Sequence, residues 1–314
     1  MKLGYFLSCE EYGPEELVEQ AKLAADAGFT GLWISDHFHP WLDAQGESPF
    51  VWSMIGAISQ VCDLPIMTAV TCPTMRIHPA IIAQAAATSA VLTSGRFVLG
   101  VGTGEALNEH ITGAAWPGSP VRRAMLTEAV EVIRRLWTGS VVNHRGTYYT
   151  VEHARLYTCP DVPPPIYVSG FGPESISLAA EIGDGFVSTQ PAADAVRQYR
   201  DQAGADKPTV AGAKGCFAAT EEEAVTIAHR RWSTEGLPGE LSQVLPDPEH
   251  FAQAANLVTQ DMVKMAYGPD PKPYLEMVDA YRGAGYDALH IAAVGPHYAE
   301  LIDLLAREIL PHAN

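Results

Sequence analysis

Histidine, tryptophan and acidic side chains crowd two short stretches of this chain, Ser35-Asp-His-Phe-His-Pro-Trp41 and Gly100-Val-Gly-Thr-Gly-Glu-Ala-Leu-Asn-Glu109. A neutral imidazole at His37 suits removal of a proton from a substrate hydroxyl near neutral pH. The neighbouring Asp36 equally suits a structural histidine held by a carboxylate. His37-x-His39 also has the spacing of a metal-binding pair, but such sites need further His and Asp ligands. The later strand ends carry Ser169-Gly170-Phe171 and Ser188-Thr189-Gln190 instead, so no metal is expected. Trp41 is either a core or lid residue or a flat wall for a planar substrate. Glu105 is either an enclosed proton donor or a cap for the helix that follows, and Asn108 either bonds a ring carbonyl or faces solvent.

Glycines mark where a ligand can come close to the backbone. Gly102-Thr-Gly104 admits a ring without forming a nucleotide fingerprint, because the third glycine of that pattern is missing. Ser169-Gly-Phe-Gly-Pro-Glu-Ser175 offers backbone N–H groups and a Pro-opened helix start, a fit for phosphate, although an ordinary βα turn reads the same way. Thr68-Ala-Val-Thr-Cys-Pro-Thr74 ends a strand with hydroxyls that can line one face of a flat ligand.

Alternating elements must position these residues. Apolar, partly β-branched runs at 3–8, 31–35, 64–70, 96–102, 165–170, 185–189, 209–217 and 288–294 predict eight strands buried on both faces. Amphipathic helices are predicted at 14–27, 79–92, 119–138, 174–182, 221–232, 273–284 and 297–309. The first opens on Pro14 and stops at Gly28, the usual start and stop signals. Polar residues at the ends of many strands favour an α/β fold of the (β/α)8 TIM-barrel type over a doubly wound sheet, whose site gathers at one switch point. The expected layout is a single barrel domain over residues 1–314, with a hairpin insertion near 138–159 and a Pro- and Gly-containing insertion near 233–269.

Composition excludes several classes. A net charge of −17 disfavours nucleic acid and anionic membrane as partners. No apolar run reaches spanning length and Lys2–Leu7 reads as a strand, so a cytoplasmic protein is expected. Five scattered cysteines without a Cys-x-x-Cys pair read as reduced thiols.

Taken together, several strings resemble the luciferase-like superfamily, and within it the coenzyme F420 (deazaflavin) dependent oxidoreductases. They are Lys2-Leu-Gly-Tyr5, Ser35-Asp-His-Phe38 with Pro40-Trp41, Pro73-Thr74 with His78-Pro-Ala80 and Ile82-Ala-Gln84, Gly100–Glu109 and Gly183-Asp-Gly-Phe186. The resemblance implies F420 as cofactor. It makes His37 the base that takes the hydroxyl proton while hydride passes from the carbinol carbon to C5 of the ring. Trp41 would steady developing charge, Glu105 would protonate the cofactor, and Glu10 would be a further acidic residue of the site. Asp36, Ala69, Val70, Cys72, Asn108, Ser169, Gly170, Phe171, Gly172 and Thr189 would surround the cofactor, with a cis peptide between Ala69 and Val70.

Sugar-phosphate members of that group place a lysine just beyond the residue matching Thr189, where this chain has Gln190-Pro191-Ala192. Their later phosphate ligands have no clear match in 245–270, where Lys264 stands almost alone, although Lys214 could supply charge by another route. A bound phosphate needs several donors and positive charge. The expected substrate is therefore a small neutral alcohol, an unphosphorylated sugar or a ketone rather than glucose 6-phosphate. Other readings are a reduced-FMN monooxygenase on the same barrel, a metal hydrolase and a catalytically silent flavin-binding protein. A homodimer is the base expectation.

Overall fold

The computed structural model describes residues 1–312. Eight parallel strands close a barrel: β1 (Lys2–Leu7), β2 (Leu32–Ile34), β3 (Ile66–Thr68), β4 (Phe97–Val101), β7 (Ile166–Ser169), β8 (Gly185–Ser188), β9 (Thr209–Cys216) and β11 (Ala288–Ala293). Closure comes from β9, which pairs with β8 through its lower half and with β11 along its length. The strands are short and apolar because helices cover their outer faces while side chains fill the barrel. Inside, Trp33, Met67, Val187 and Val210 pack with Phe6, Val98 and Tyr167.

The outer helices begin and end for local reasons. Pro14–Ala27 has Pro at its first turn, the Glu16 carboxylate accepting from the Gly13 N–H at 3.2 Å, and Gly28 in the left-handed region at φ +92°. Pro79–Leu92 is capped by the His78 ring, which accepts from the Ala80 N–H at 3.1 Å. Two helices escape the sequence pattern. Val51–Ile58 is short and largely apolar, burying Val51, Met54, Ile55 and Ile58 with only Ser53 and Ala57 exposed on its outer face, whereas Ala193–Ala203 is so polar that only Val196 and Tyr199 are buried. The last predicted helix is α-helical over Tyr298–Leu304 and then widens into a π turn at Leu305–Ile309.

Two segments lie outside the barrel order. The antiparallel hairpin of β5 (Val142–Arg145) and β6 (Thr150–Ala154) is pinned by the Glu128 carboxylate, which accepts from the N–H groups of Thr147, Tyr148 and Tyr149. The Tyr149 hydroxyl then donates to the Thr74 carbonyl at 3.0 Å, tying the hairpin to the loop after β3. Between the helix Glu221–Trp232 and the short β10 (Ala266–Tyr267), helical turns at Ser233–Gly236, Leu241–Val244, Pro248–Ala255 and Gln260–Met262 pass over the barrel mouth. β10, absent from the predicted strands, adds to the upper end of β9 at Gly215 and Cys216.

The mouth is shaped by a bulge. β3 stops at Thr68, and the chain rejoins β4 at Thr71, whose N–H donates to the Gly100 carbonyl at 2.9 Å. Ala69 and Val70 press into the mouth between these points, and the peptide joining them is cis, as the resemblance implies. Gly100 and Gly102 make room for the bulge. A Cβ on Gly100 would meet the Thr68 carbonyl oxygen at 1.9 Å, and one on Gly102 would meet Val70 Cγ2 at 2.7 Å.

Candidate active site

His37 sits just past β2 with a partner at each ring nitrogen. Its Nε2 lies 3.4 Å from Glu10 Oε1, and the other Glu10 oxygen accepts from the Ser35 hydroxyl at 2.5 Å. Glu10 and Ser35 are both buried, so a carboxylate held by a serine faces the imidazole from the end of β1. Nδ1 is 3.2 Å from the His39 carbonyl and 3.1 Å from Asn108 Nδ2. The Asn108 amide is oriented by its oxygen, which accepts from the Phe38 and His39 N–H groups. A proton on Nδ1 therefore finds the His39 carbonyl and leaves Nε2 open as a base; a bare Nδ1 finds the Asn108 amide, with the proton on Nε2. Asn108 is buried, so of its two sequence readings solvent exposure is ruled out, and its contacts are to the His37 loop.

Trp41 is half-buried, its ring 5.1 Å from His37 on one side and 5.1 Å edge-on to Phe251 on the other. The segment after residue 233 thus supplies the surface that holds Trp41 over the imidazole. His39 turns away, its Nδ1 2.9 Å from the Leu107 carbonyl. Among the described residues no cluster of three or more His, Cys, Asp and Glu could hold a metal ion.

Glu105 occupies the N-cap position of Ala106–Glu109, yet its side chain makes no capping hydrogen bond. The capping alternative thereby loses its physical basis, and the half-buried carboxylate stands free at the glycine-lined wall. Next to it lies a buried ionic cluster that sequence reasoning missed. Arg76 Nη2 donates to Asp36 Oδ1 at 2.7 Å, and Thr71 Oγ1 donates to Asp36 Oδ2 at 2.7 Å. Glu109 Oε2 accepts from the Arg76 backbone N–H at 2.9 Å, while the Arg76 Nε to Glu109 Oε1 distance of 3.5 Å is a charge contact. Burial pushes the Glu109 carboxyl up to about 7 against the opposing pull of Arg76. The Asp36 carboxylate is spent on Thr71 and Arg76, so it joins the loops after β2 and β3.

The remaining predicted cofactor residues line two sides of the mouth. Cys72 is buried with Sγ 3.0 Å from the Thr74 hydroxyl, and burial raises its thiol pKa, which marks it as packing rather than a nucleophile. Ser169, Gly170, Phe171 and Gly172 form the turn between β7 and the helix Pro173–Ile182. No side chain caps that helix, and a Cβ on Gly172 would meet nothing within 4 Å, so its first turn offers open N–H groups to an anion. Phe171 is exposed at its rim. Thr189 is exposed just past β8, its carbonyl accepting from Tyr281 at 2.8 Å. A planar ring with a phosphate-bearing tail fits this arrangement.

Known proteins resemble this chain in sequence and fold. Residues 1–288 match the family described as luciferase-like monooxygenase. The chain is 36% identical to an F420-dependent glucose-6-phosphate dehydrogenase of Rhodococcus erythropolis, over 99% of this chain and 97% of the relative. A solved F420-dependent secondary alcohol dehydrogenase in complex with an F420-acetone adduct superposes with a TM-score of 0.91 at 32% identity, covering 100% of this chain and 99% of the other. The coenzyme F420 dependent tetrahydromethanopterin reductase of Methanopyrus kandleri, at 20% identity and a TM-score of 0.80 with full coverage of both chains, shares the fold. The protein with this site belongs to the luciferase-like monooxygenase family, in the branch of these F420-dependent dehydrogenases.

Proposed function

We propose that this protein is an F420-dependent oxidoreductase that acts on a small neutral alcohol, or on its carbonyl form. One observation carries the reading: His37 at the barrel mouth, under Trp41, between the Glu10 carboxylate at 3.4 Å and the Asn108 amide at 3.1 Å. When bound, the deazaflavin takes up or returns the hydride at C5. His37 Nε2 takes the hydroxyl proton as the carbinol carbon gives up its hydride. The resulting imidazolium has the Glu10 carboxylate at Nε2 and the His39 carbonyl at Nδ1, so both N–H groups are met. Trp41 closes the site from water and Glu105 exchanges a proton with the ring. Ala69, Val70 and Gly102 support a flat ring, and the turn 169–172 holds its phosphate.

The neutral-substrate part rests on charge. Lys214, the residue that could have bound a phosphate, is engaged by Glu235 at 2.7 Å, and Lys264 is exposed to solvent. Titration with F420 and with FMN, followed by turnover on a secondary alcohol, glucose and glucose 6-phosphate, tests both parts. Tighter F420 binding with the neutral substrates preferred is expected. Equal or tighter FMN binding, or a large preference for glucose 6-phosphate in kcat/KM, would overturn it.

A further inference from the structure

We propose that Glu235 is a specificity-determining residue, whose carboxylate holds Lys214 in place of the anionic group of a substrate. The inference rests on the mouth being the alcohol site. Side chains alternate along a strand, and in β9 Val210 belongs to the barrel interior while a Cβ on Gly212 would meet Trp33 at 2.6 Å. Lys214, two residues further toward the mouth and paired in register with Ala292, therefore points inward as well. Its Nζ lies 4.2 Å from the centroid of the Trp232 ring and 2.7 Å from Glu235 Oε1. The lysine side chain is only 16% exposed.

Two tryptophans, Trp232 and Trp41, connect Lys214 with the reacting base. Trp232 and Trp41 pack into the same apolar patch, and Trp41 touches His37. Other cations around the mouth are held in the same way, Arg231 by Glu11 at 3.1 Å and Arg76 by Asp36. A phosphate or carboxylate on a substrate meets the repulsion of the Glu235 carboxylate, which is tethered beside Lys214 and competes for it at high effective concentration. A hydroxyl or carbonyl oxygen meets no such competition. The ammonium has three N–H donors and Glu235 uses one. The pair thus admits neutral oxygen-bearing substrates and turns away anions.

Glu235→Gln keeps the shape and removes the charge. Inorganic phosphate, titrated into the cofactor-free protein and followed by calorimetry, should bind at least about tenfold more tightly to this variant than to the parent. The gain should vanish in the Lys214→Met/Glu235→Gln double variant. With F420 present, the kcat/KM ratio of glucose 6-phosphate to glucose should rise by a similar factor. Unchanged phosphate affinity in the folded Glu235→Gln variant, or a gain that survives loss of Lys214, would overturn the proposal. Glu235→Ala gives the same reading if the glutamine variant fails to fold. Because the phosphate titration needs neither cofactor nor turnover, it separates failure of this inference from failure of the functional reading.

Discussion

The barrel holds two histidine–tryptophan pairs, and they differ in what surrounds them. In the barrel interior His290 stacks on Trp33 at 4.6 Å with ring planes 12° apart. At the mouth His37 and Trp41 are 5.1 Å apart and tilted by 58°. His290 is buried against Gly4, where a Cβ would meet its ring at 2.1 Å, and burial drives its pKa down to about 3 against a smaller opposing effect of the Ala211 backbone. It is a neutral aromatic filler. His37 is offered a carboxylate, a carbonyl and an amide, the set an imidazole needs if it is to hold a proton on either nitrogen. The residue types are the same, and the depth of the position along the barrel decides which one is offered proton partners at the mouth.

The comparison breaks first on function. His37→Ala should lower turnover by about 10²–10⁴-fold while F420 affinity stays within a few-fold, since a general base acts in the transition state. Loss of F420 binding, read by fluorescence titration, would make His37 structural. His290→Ala should show the reverse, a loss of about 3 kcal/mol in unfolding free energy from the cavity left under Trp33, with kcat of the folded fraction unchanged. A urea midpoint equal to that of the parent would remove His290 from the core.

Acid should sharpen the contrast. Because the His290 pKa falls from 6.5 to about 3 on folding, the unfolded chain binds a proton that the folded one refuses between these values. The His290 contribution to stability is therefore complete above pH 6.5 and is lost as pH falls toward 3. At pH 5 the loss should be about 2 kcal/mol. Urea unfolding of the parent and of His290→Phe at pH 7 and pH 5 measures it, and equal acid losses in the two proteins would contradict a neutral His290. Glu105→Gln should give the smallest effect, about a tenfold slowing of ring reduction in single-turnover absorbance with KM little changed. An unchanged rate would take Glu105 out of the proton path.

What the amino-acid sequence determined by itself was local. Pro14 and Gly28 bound a helix, apolar β-branched runs become buried strands, and His37 and Glu105 lie past strand ends because the pattern of a short strand stops there. Such signals act over a few residues and do not depend on where the chain goes next. The Val51–Ile58 helix was lost to this reading because eight residues span only about two turns and no capping side chain at Phe50 marks its start. Closure of the barrel decided the rest. It brings Glu10 against His37, sets Asn108 behind the imidazole from 71 positions away, and buries Arg76 between Asp36 and Glu109. It also lays Phe251 on Trp41 and Glu235 on Lys214. These contacts join residues far apart in the chain, and the direction of each side chain follows from strand register, loop path and burial, which exist only once all eight strands are paired.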